Sequence, residues 1–84
     1  MIDYEKGMLA KSLAGHDAGR IYCIADVDDT YVYLVDGRIR TLDNPKKKKK
    51  KHVQLIGTKY NIASADDAKI KEILKKWRNE NVES

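Results

Sequence analysis

The chain has 84 residues, of which 42% are hydrophobic and 36% are charged, and its formal net charge at pH 7 is +4. This length provides for one small domain with a thin core. The single cysteine excludes an internal disulfide, and no apolar run approaches the roughly 20 residues that a membrane-spanning helix requires. We therefore expect a cytoplasmic protein with no membrane partner.

The first half of the chain contains three stretches that predict β-strands. Residues 8–13 are a short apolar run, and residues 14–19, which include two glycines, predict a tight loop after it. Residues 20–27 alternate loosely, and residues 30–35 are rich in the β-branched and aromatic types that favour strands. The second strand carries apolar groups on both faces, so the sheet is expected to curl into a barrel.

The alternation within the second strand predicts which of its side chains share a face. One face is expected to carry Ile21, Cys23, Ala25 and Val27, and the other Tyr22 and Ile24. In this pattern Cys23 is expected to be a small buried apolar residue rather than a reactive thiol.

A turn signal and a run of lysines follow the third strand. Asp36-Gly37 is typical of two-residue hairpin turns, which predicts that residues 38–42 return as a partner strand with Arg38 and Arg40 on one face. Asn44-Pro45 would end that strand, because proline cannot donate to a ladder. The lysines that follow predict an exposed basic loop at 45–52.

Positive charge is concentrated in this part of the chain. Residues 38–52 contain eight Arg and Lys side chains and one acidic side chain, whereas residues 1–37 contain three basic and seven acidic ones. Such a patch on an otherwise balanced chain favours a polyanion site, because its field attracts phosphate. The alternative is a solvated lysine loop with no dedicated partner.

The C-terminal third predicts one more strand and a helix. Residues 52–56 form the fifth strand, closed by Gly57, and Ser64 is the expected N-cap of a helix. An apolar stripe at helical spacing consists of Ile70, Ile73, Leu74 and Trp77. Residues 79–84 are expected to fray. The sequence thus predicts a mainly β protein, with a small five-stranded barrel at 1–60 and a helix packed on it, followed by a tail, at 61–84.

The first part of the chain resembles a known motif. Gly7, a short apolar strand, the loop at 12–20 and a second apolar strand, together residues 7–33, resemble the KOW motif of ribosomal and transcription-elongation proteins. The continuation through Asp36-Gly37, Asn44-Pro45 and the lysines is similar to the archaeal and eukaryotic large-subunit ribosomal protein fourteen family, and in particular to its short bacterial relatives, the KOW-domain RNA-binding proteins.

The resemblance implies an SH3-like barrel whose loop between the first two strands, here Ser12 to Arg20, contacts RNA. Two departures from the family pattern are Ala18, where many members have lysine, and Tyr22, where ribosomal members often have glycine. The residues expected to bind RNA are Lys11, Ser12, Gly15, His16, Asp17, Gly19, Arg20, Arg38, Arg40, Lys46, Lys47, Lys48, Lys49, Lys50, Lys51 and His52.

The expected function is therefore RNA binding, with ribosomal RNA and the ribosome as partners and a role connected to translation. Structured RNA is favoured, because no aromatic residue is interleaved with the basic run. The alternative is an SH3-like interaction module that binds a peptide or an acidic protein through an open aromatic groove at Tyr22, Tyr31 or Tyr33. RNA binding instead requires two parts of the chain to share a face, namely the loop around Gly15 to Gly19, within Ser12 to Arg20 (the glycine loop), and the segment from Arg38 to His52 (the basic segment).

Catalysis and metal binding have little support in the sequence. His16 and Asp17 are neighbours, which rarely gives the geometry of a general base and its orienting group, and no nucleophile is evident near them. His16, Cys23 and His52 are far apart in the chain, unlike the ligands of a typical metal site. We expect no enzyme activity, no cofactor, no metal and no small-molecule substrate.

Overall fold

The computed structural model describes residues 3–81. Its elements are β1 (Met8–Ser12), β2 (Ile21–Val27), β3 (Tyr31–Val35), β4 (Lys46–Lys49), a short 3₁₀ helix (Lys50–His52), β5 (Val53–Lys59) and α1 (Asp67–Asn81). The protein is mainly β, with five antiparallel strands and one C-terminal helix, which confirms the predicted fold class.

The five strands form one curled sheet in the order β4-β3-β2-β1-β5. The last strand returns to pair with the first, with Leu9 opposite Ile56. Val53 on β5 and Val32 on β3 belong to the same buried cluster although two strands separate them in the sheet, so the sheet must curl. Within residues 3–81 no ladder joins β4 to β5, and the barrel is therefore open on that side.

Both faces of the sheet carry buried residues, each packed against a different partner. On the outer face Leu9, Cys23 and Val35 pack against α1. The curled sheet encloses the inner face, whose buried residues are Ala10, Tyr22, Ile24, Val32, Leu34 and Val53. The double burial explains why β2 has apolar residues at consecutive positions.

A bulge in β2 corrects one predicted side-chain direction. Ile24 pairs with Leu34 and Asp26 pairs with Tyr33, so Ala25 is an extra residue between them. Beyond the bulge the alternation is reversed, and Val27 packs with the inner cluster instead of sharing a face with Cys23. Ile21, Cys23 and Ala25 do lie together on the outer face, and Cys23 is fully buried, as predicted.

The prediction of a two-residue hairpin at Asp36-Gly37 is wrong. That turn needs positive φ at both central residues, and only Gly37 has it. The Asp36 carboxylate instead accepts the backbone N–H groups of Arg38 and Arg40, both at 2.9 Å, and the Arg40 carbonyl accepts the amides of Asp36 and Gly37. Residues 37–40 therefore form a loop that is closed by hydrogen bonds to Asp36 and Arg40, and Arg38 and Arg40 do not lie on a strand.

The lysine run is a strand rather than the predicted exposed loop. Lys46–Lys49 pairs along its length with β3, from Lys46 opposite Leu34 to Lys49 opposite Tyr31. Without this pairing the backbone groups of β3 would be left open beside a buried face, and that tertiary demand outweighs the low strand propensity of lysine. Lysine also suits an edge strand, because its charge discourages pairing with another chain.

The helix begins later than the sequence predicts. Its first residue is Asp67, and the side chain of Asp66 accepts the Lys69 backbone N–H at 2.9 Å, so Asp66 rather than Ser64 is the N-cap. The predicted apolar stripe is confirmed, since Ile70, Ile73 and Leu74 are buried and Trp77 packs beside them. Residues 79–81 are helical rather than frayed, and residues 82–84 lie outside the described range.

Two contacts fix α1 against the sheet and its loops. Asp67 in the first turn accepts the Leu42 backbone N–H at 2.8 Å. At Gly37 a side chain would overlap the Asp67 carbonyl and crowd Lys71, so only glycine allows the helix to approach this closely. The fifth strand also differs from its predicted bounds, because it continues through Gly57 to Lys59.

Candidate nucleic-acid interface

A buried carboxylate, Asp17, organises the loop between β1 and β2. Its side chain is only 8% exposed and accepts hydrogen bonds from Ser12 Oγ at 3.0 Å and Tyr22 Oη at 3.3 Å. Within residues 3–81 no buried polar side-chain atom lacks a partner. The loop is thus attached from inside to both strands that it connects, and Asp17 and Ser12, both predicted to bind RNA, are occupied within the fold.

Two lysines of β4 complete this network. Lys46 and Lys48 pair with Leu34 and Val32, and directly opposite residues place their side chains on the same face, which here is the inner one. Lys48 Nζ lies 2.8 Å from Asp17 Oδ1 and donates to the Ala14 carbonyl at 2.6 Å. Lys46 Nζ lies 3.0 Å from Asp17 Oδ2. The inner lysines therefore connect β4 to the glycine loop.

The protonation of Asp17 follows from these contacts. Burial acts to raise the pKa of the carboxyl group, but the hydrogen bonds from Lys48, Lys46 and Ser12 outweigh it and hold the pKa well below its usual range. Asp17 is consequently ionised at neutral pH. The two inner lysines and Asp17 together leave a net charge near +1, most of which is shielded from solvent.

The other two lysines of β4 point away from this network. Lys47 and Lys49 pair with Tyr33 and Tyr31, and both are exposed. Lys47 Nζ lies 4.2 Å from the centre of the Tyr31 ring, a cation–π contact that leaves its charge available to a ligand. Strand geometry thus divides the four lysines of β4 into two inner cations that hold the fold and two outer cations that face solvent.

The remaining residues of the basic segment lie next to the loop. The His52 carbonyl accepts the Leu13 backbone N–H at 2.9 Å, which attaches the 3₁₀ helix to the end of β1. Lys50 Nζ lies 5.4 Å from the Tyr4 ring centre, and Lys51 is exposed. Lys11 is exposed on β1.

The loop itself presents backbone and small side chains. Gly15 and Gly19 have positive φ, and the amides of Ala18 and Arg20 close turns onto Gly15 and Asp17. His16 and Arg20 are exposed. The structure therefore brings the glycine loop into contact with the basic segment at Lys46, Lys48 and His52.

Arg38 and Arg40 occupy different environments. Arg38 is exposed and lines a groove of about 970 Å³ between the end of the glycine loop, residues 36–38 and α1. Arg40 is half-buried and does not line that groove. The groove is lined by Gly19, Arg20, Ile21, Tyr22, Asp36, Arg38, Lys71, Leu74, Lys75, Arg78 and Asn79.

The side chains considered for other chemistry have structural contacts. Tyr33 Oη donates to Asp28 Oδ2 at 2.7 Å, and this bond raises the pKa of Tyr33. Burial raises the pKa of the Cys23 thiol to about 11, so the thiolate nucleophile is scarce at neutral pH. Within residues 3–81 no group of three His, Cys, Asp or Glu side chains is arranged to hold a metal ion.

Two features of this surface were not predicted from the sequence. The anchoring role of Asp17 had no local signal, because its partners come from three strands. No role was predicted for the basic residues of α1, although Lys75 and Arg78 line the same groove as Arg38. The incorrect hairpin prediction contributed to this omission, because it placed Arg38 on a strand.

The fold and this surface define a small, mainly β domain with basic side chains drawn from loops, an edge strand and a helix. No protein-family model matches this sequence, and no curated protein is detectably similar to it. The part of the chain that the structure describes holds no helix with the length and apolar character needed to cross a membrane.

Proposed function

We propose that this domain is a cytoplasmic RNA-binding protein that binds structured RNA, ribosomal RNA above all, in association with the ribosome or with translation. Its interface consists of the glycine loop, Arg38 and Arg40, and the outward-facing cations of residues 47–51. It acts as a binding module, and its chemistry requires neither a cofactor nor a catalytic group.

The observation that carries this proposal is the juxtaposition of the glycine loop and the basic segment. Lys48 donates to the Ala14 carbonyl and pairs with Asp17, so the loop cannot separate from β4 without exposing a buried ion pair. Exposed cations then flank an ordered loop, and an ordered cationic surface loses less entropy on binding than a flexible lysine tail does.

The kind of nucleic acid follows from two further arguments. RNA rather than DNA is indicated by the resemblance of residues 7–33 to the KOW motif. A helical or otherwise structured RNA is favoured because residues 34–59 contain no Phe, Tyr or Trp on which unpaired bases can stack. The nearby Tyr31 and Tyr33 are engaged by Lys47 and Asp28. Lysines contact phosphates without reading sequence, so specificity would come from RNA shape.

The alternative of an SH3-like peptide-binding module fits the surface less well. Tyr22 is buried, with 3% of its surface exposed, and its hydroxyl group is engaged by Asp17. Lys47 lies over the ring of Tyr31, and the Tyr33 hydroxyl is held by Asp28. Tyr22 lines the groove beside α1 but exposes almost none of its ring there, and the other two tyrosines are engaged by Lys47 and Asp28. The three tyrosines thus offer a peptide little aromatic surface, which weighs in favour of RNA.

Salt dependence of RNA binding tests this proposal. If six or more of the exposed cations reach phosphates, affinity for a structured RNA hairpin should fall roughly 10³-fold between 50 and 200 mM salt, because each contact releases condensed counterions. Fluorescence anisotropy measures this directly. A flat salt response contradicts the proposal, and equal affinity for a DNA hairpin of the same sequence would show a general polyanion site.

A further inference from the structure

The groove beside α1 extends beyond the proposed interface, because three of its basic side chains lie on the helix. Five basic side chains from three separate parts of the chain line it, namely Arg20, Arg38, Lys71, Lys75 and Arg78. The one carboxylate in its lining, Asp36, already accepts the amides of Arg38 and Arg40. With five basic side chains and this one carboxylate, the groove lining carries a formal surplus of four positive charges.

Within residues 3–81 none of these five cations forms a salt bridge, whereas five of the twelve other Lys and Arg side chains do. Among the described residues, the salt bridges are formed by Lys6, Lys46, Lys48, Lys59 and Lys69, and none involves a cation of the groove. Placing like charges along one concave surface costs free energy, and an anionic ligand would offset that cost. The arrangement is therefore suited to a ligand with several negative charges.

The shape of the groove indicates an extended ligand. Its volume of about 970 Å³ is open to solvent and exceeds the space that a single phosphate group needs. Gly19 lies at its edge with no atom near the position that a Cβ would take, so a ligand backbone can approach closely there. Arginines in the walls can bind phosphate oxygens in pairs.

We propose that this groove binds a phosphodiester backbone, so that α1 forms the second wall of the RNA-binding surface, with Lys75 and Arg78 as phosphate contacts. This inference rests on the proposed function and extends it. Gly19 and Arg20 belong both to the glycine loop and to the groove, so an RNA that contacts the loop can continue along the helix.

The test compares two double variants of α1 that remove the same charge. Lys75→Gln with Arg78→Gln alters the groove, whereas Lys69→Gln with Lys76→Gln alters exposed cations outside its lining. All four side chains are exposed, so thermal unfolding of both variants should match the wild type. Binding of a structured RNA hairpin is measured over a range of salt concentrations.

The groove variant should lose affinity on the order of 100-fold at about 0.1 M salt, with a salt slope less steep by about 2, because two phosphate contacts are removed. The control variant should lose less affinity, because its charges lie outside the groove and act on the RNA only through a screened long-range attraction.

If the wild type binds RNA and both variants lose the same small amount of affinity, the groove proposal is wrong while the proposed function stands. If the wild type binds no RNA, both fail. If the wild type binds polyglutamate as tightly as RNA, and the groove variant loses affinity for both ligands equally, the groove is a site for acidic peptides and the RNA assignment is overturned.

Discussion

Replacing Asp17 with alanine is expected to lower the free energy of unfolding by about 3–5 kcal/mol, since the change leaves buried cations without their partner. Lys48 is almost as buried as Asp17, with 9% of its side chain exposed, and Ser12 and Tyr22 would each lose an acceptor. Urea unfolding measures the change. Asp43→Ala is the control, because Asp43 is an exposed carboxylate, and it should stay within about 0.5 kcal/mol of the wild type.

A second variant tests the same network if the first is too unstable to purify. Lys46→Met removes the more exposed of the two inner lysines and leaves Asp17 paired with Lys48. It should therefore lower the free energy of unfolding by less than Asp17→Ala does. The anchoring role of Asp17 would be contradicted if Asp17→Ala lowered the free energy of unfolding no more than Asp43→Ala does.

The contribution of Asp17 should also depend on pH. Because the pKa of its carboxyl group is lower in the folded protein than in the unfolded chain, the unfolded chain takes up the proton first as the pH falls. The stabilisation is therefore complete above about pH 5, where an unfolded aspartate is almost fully ionised, and declines progressively below it. The difference in stability between wild type and Asp17→Ala should narrow accordingly in acid.

Alternate lysines of β4 should behave differently when they are replaced in pairs. Lys47→Gln with Lys49→Gln should lower RNA affinity on the order of 100-fold at about 0.1 M salt, because two exposed cations are lost, with unfolding unchanged. Lys46→Gln with Lys48→Gln should instead destabilise the fold by several kcal/mol, because it leaves the Asp17 carboxylate buried without a cation.

The two pairs are matched controls for each other, since each removes the same charge from neighbouring positions. Anisotropy with an RNA hairpin and urea unfolding should be measured for both. The division of the lysine run into two faces is contradicted if the pairs have the same effect on stability, or if the outer pair leaves RNA affinity intact.

Much of the fold could be predicted because burial leaves a periodic trace in the sequence. The strand at 21–27 and the stripe of Ile70, Ile73 and Leu74 follow from such periods. The strand at 31–35 follows from its β-branched and aromatic composition. The helix start was misplaced by a few residues because Ser64 and Asp66 both have side chains suited to capping, and only the tertiary contact of Asp67 with Leu42 selects between them.

The rest could not be predicted because distant partners determine it. Six lysines carry no alternation, so nothing local indicates that Lys46 and Lys48 point inward, and only pairing with β3 makes them do so. The positive φ of Gly37 serves helix approach instead of a hairpin. The groove, likewise, joins residues 20, 38 and 75–78, which no short-range pattern connects.

Ultraviolet crosslinking of the protein in its native cells, followed by sequencing of the attached RNA, tests RNA binding most directly. The account predicts reads concentrated at a few positions of large-subunit ribosomal RNA, with crosslinked residues in Gly15 to Arg20 and in Arg38 to His52. Reads that are absent, or scattered in proportion to RNA abundance, would contradict it and leave the lysine strand as a protected sheet edge.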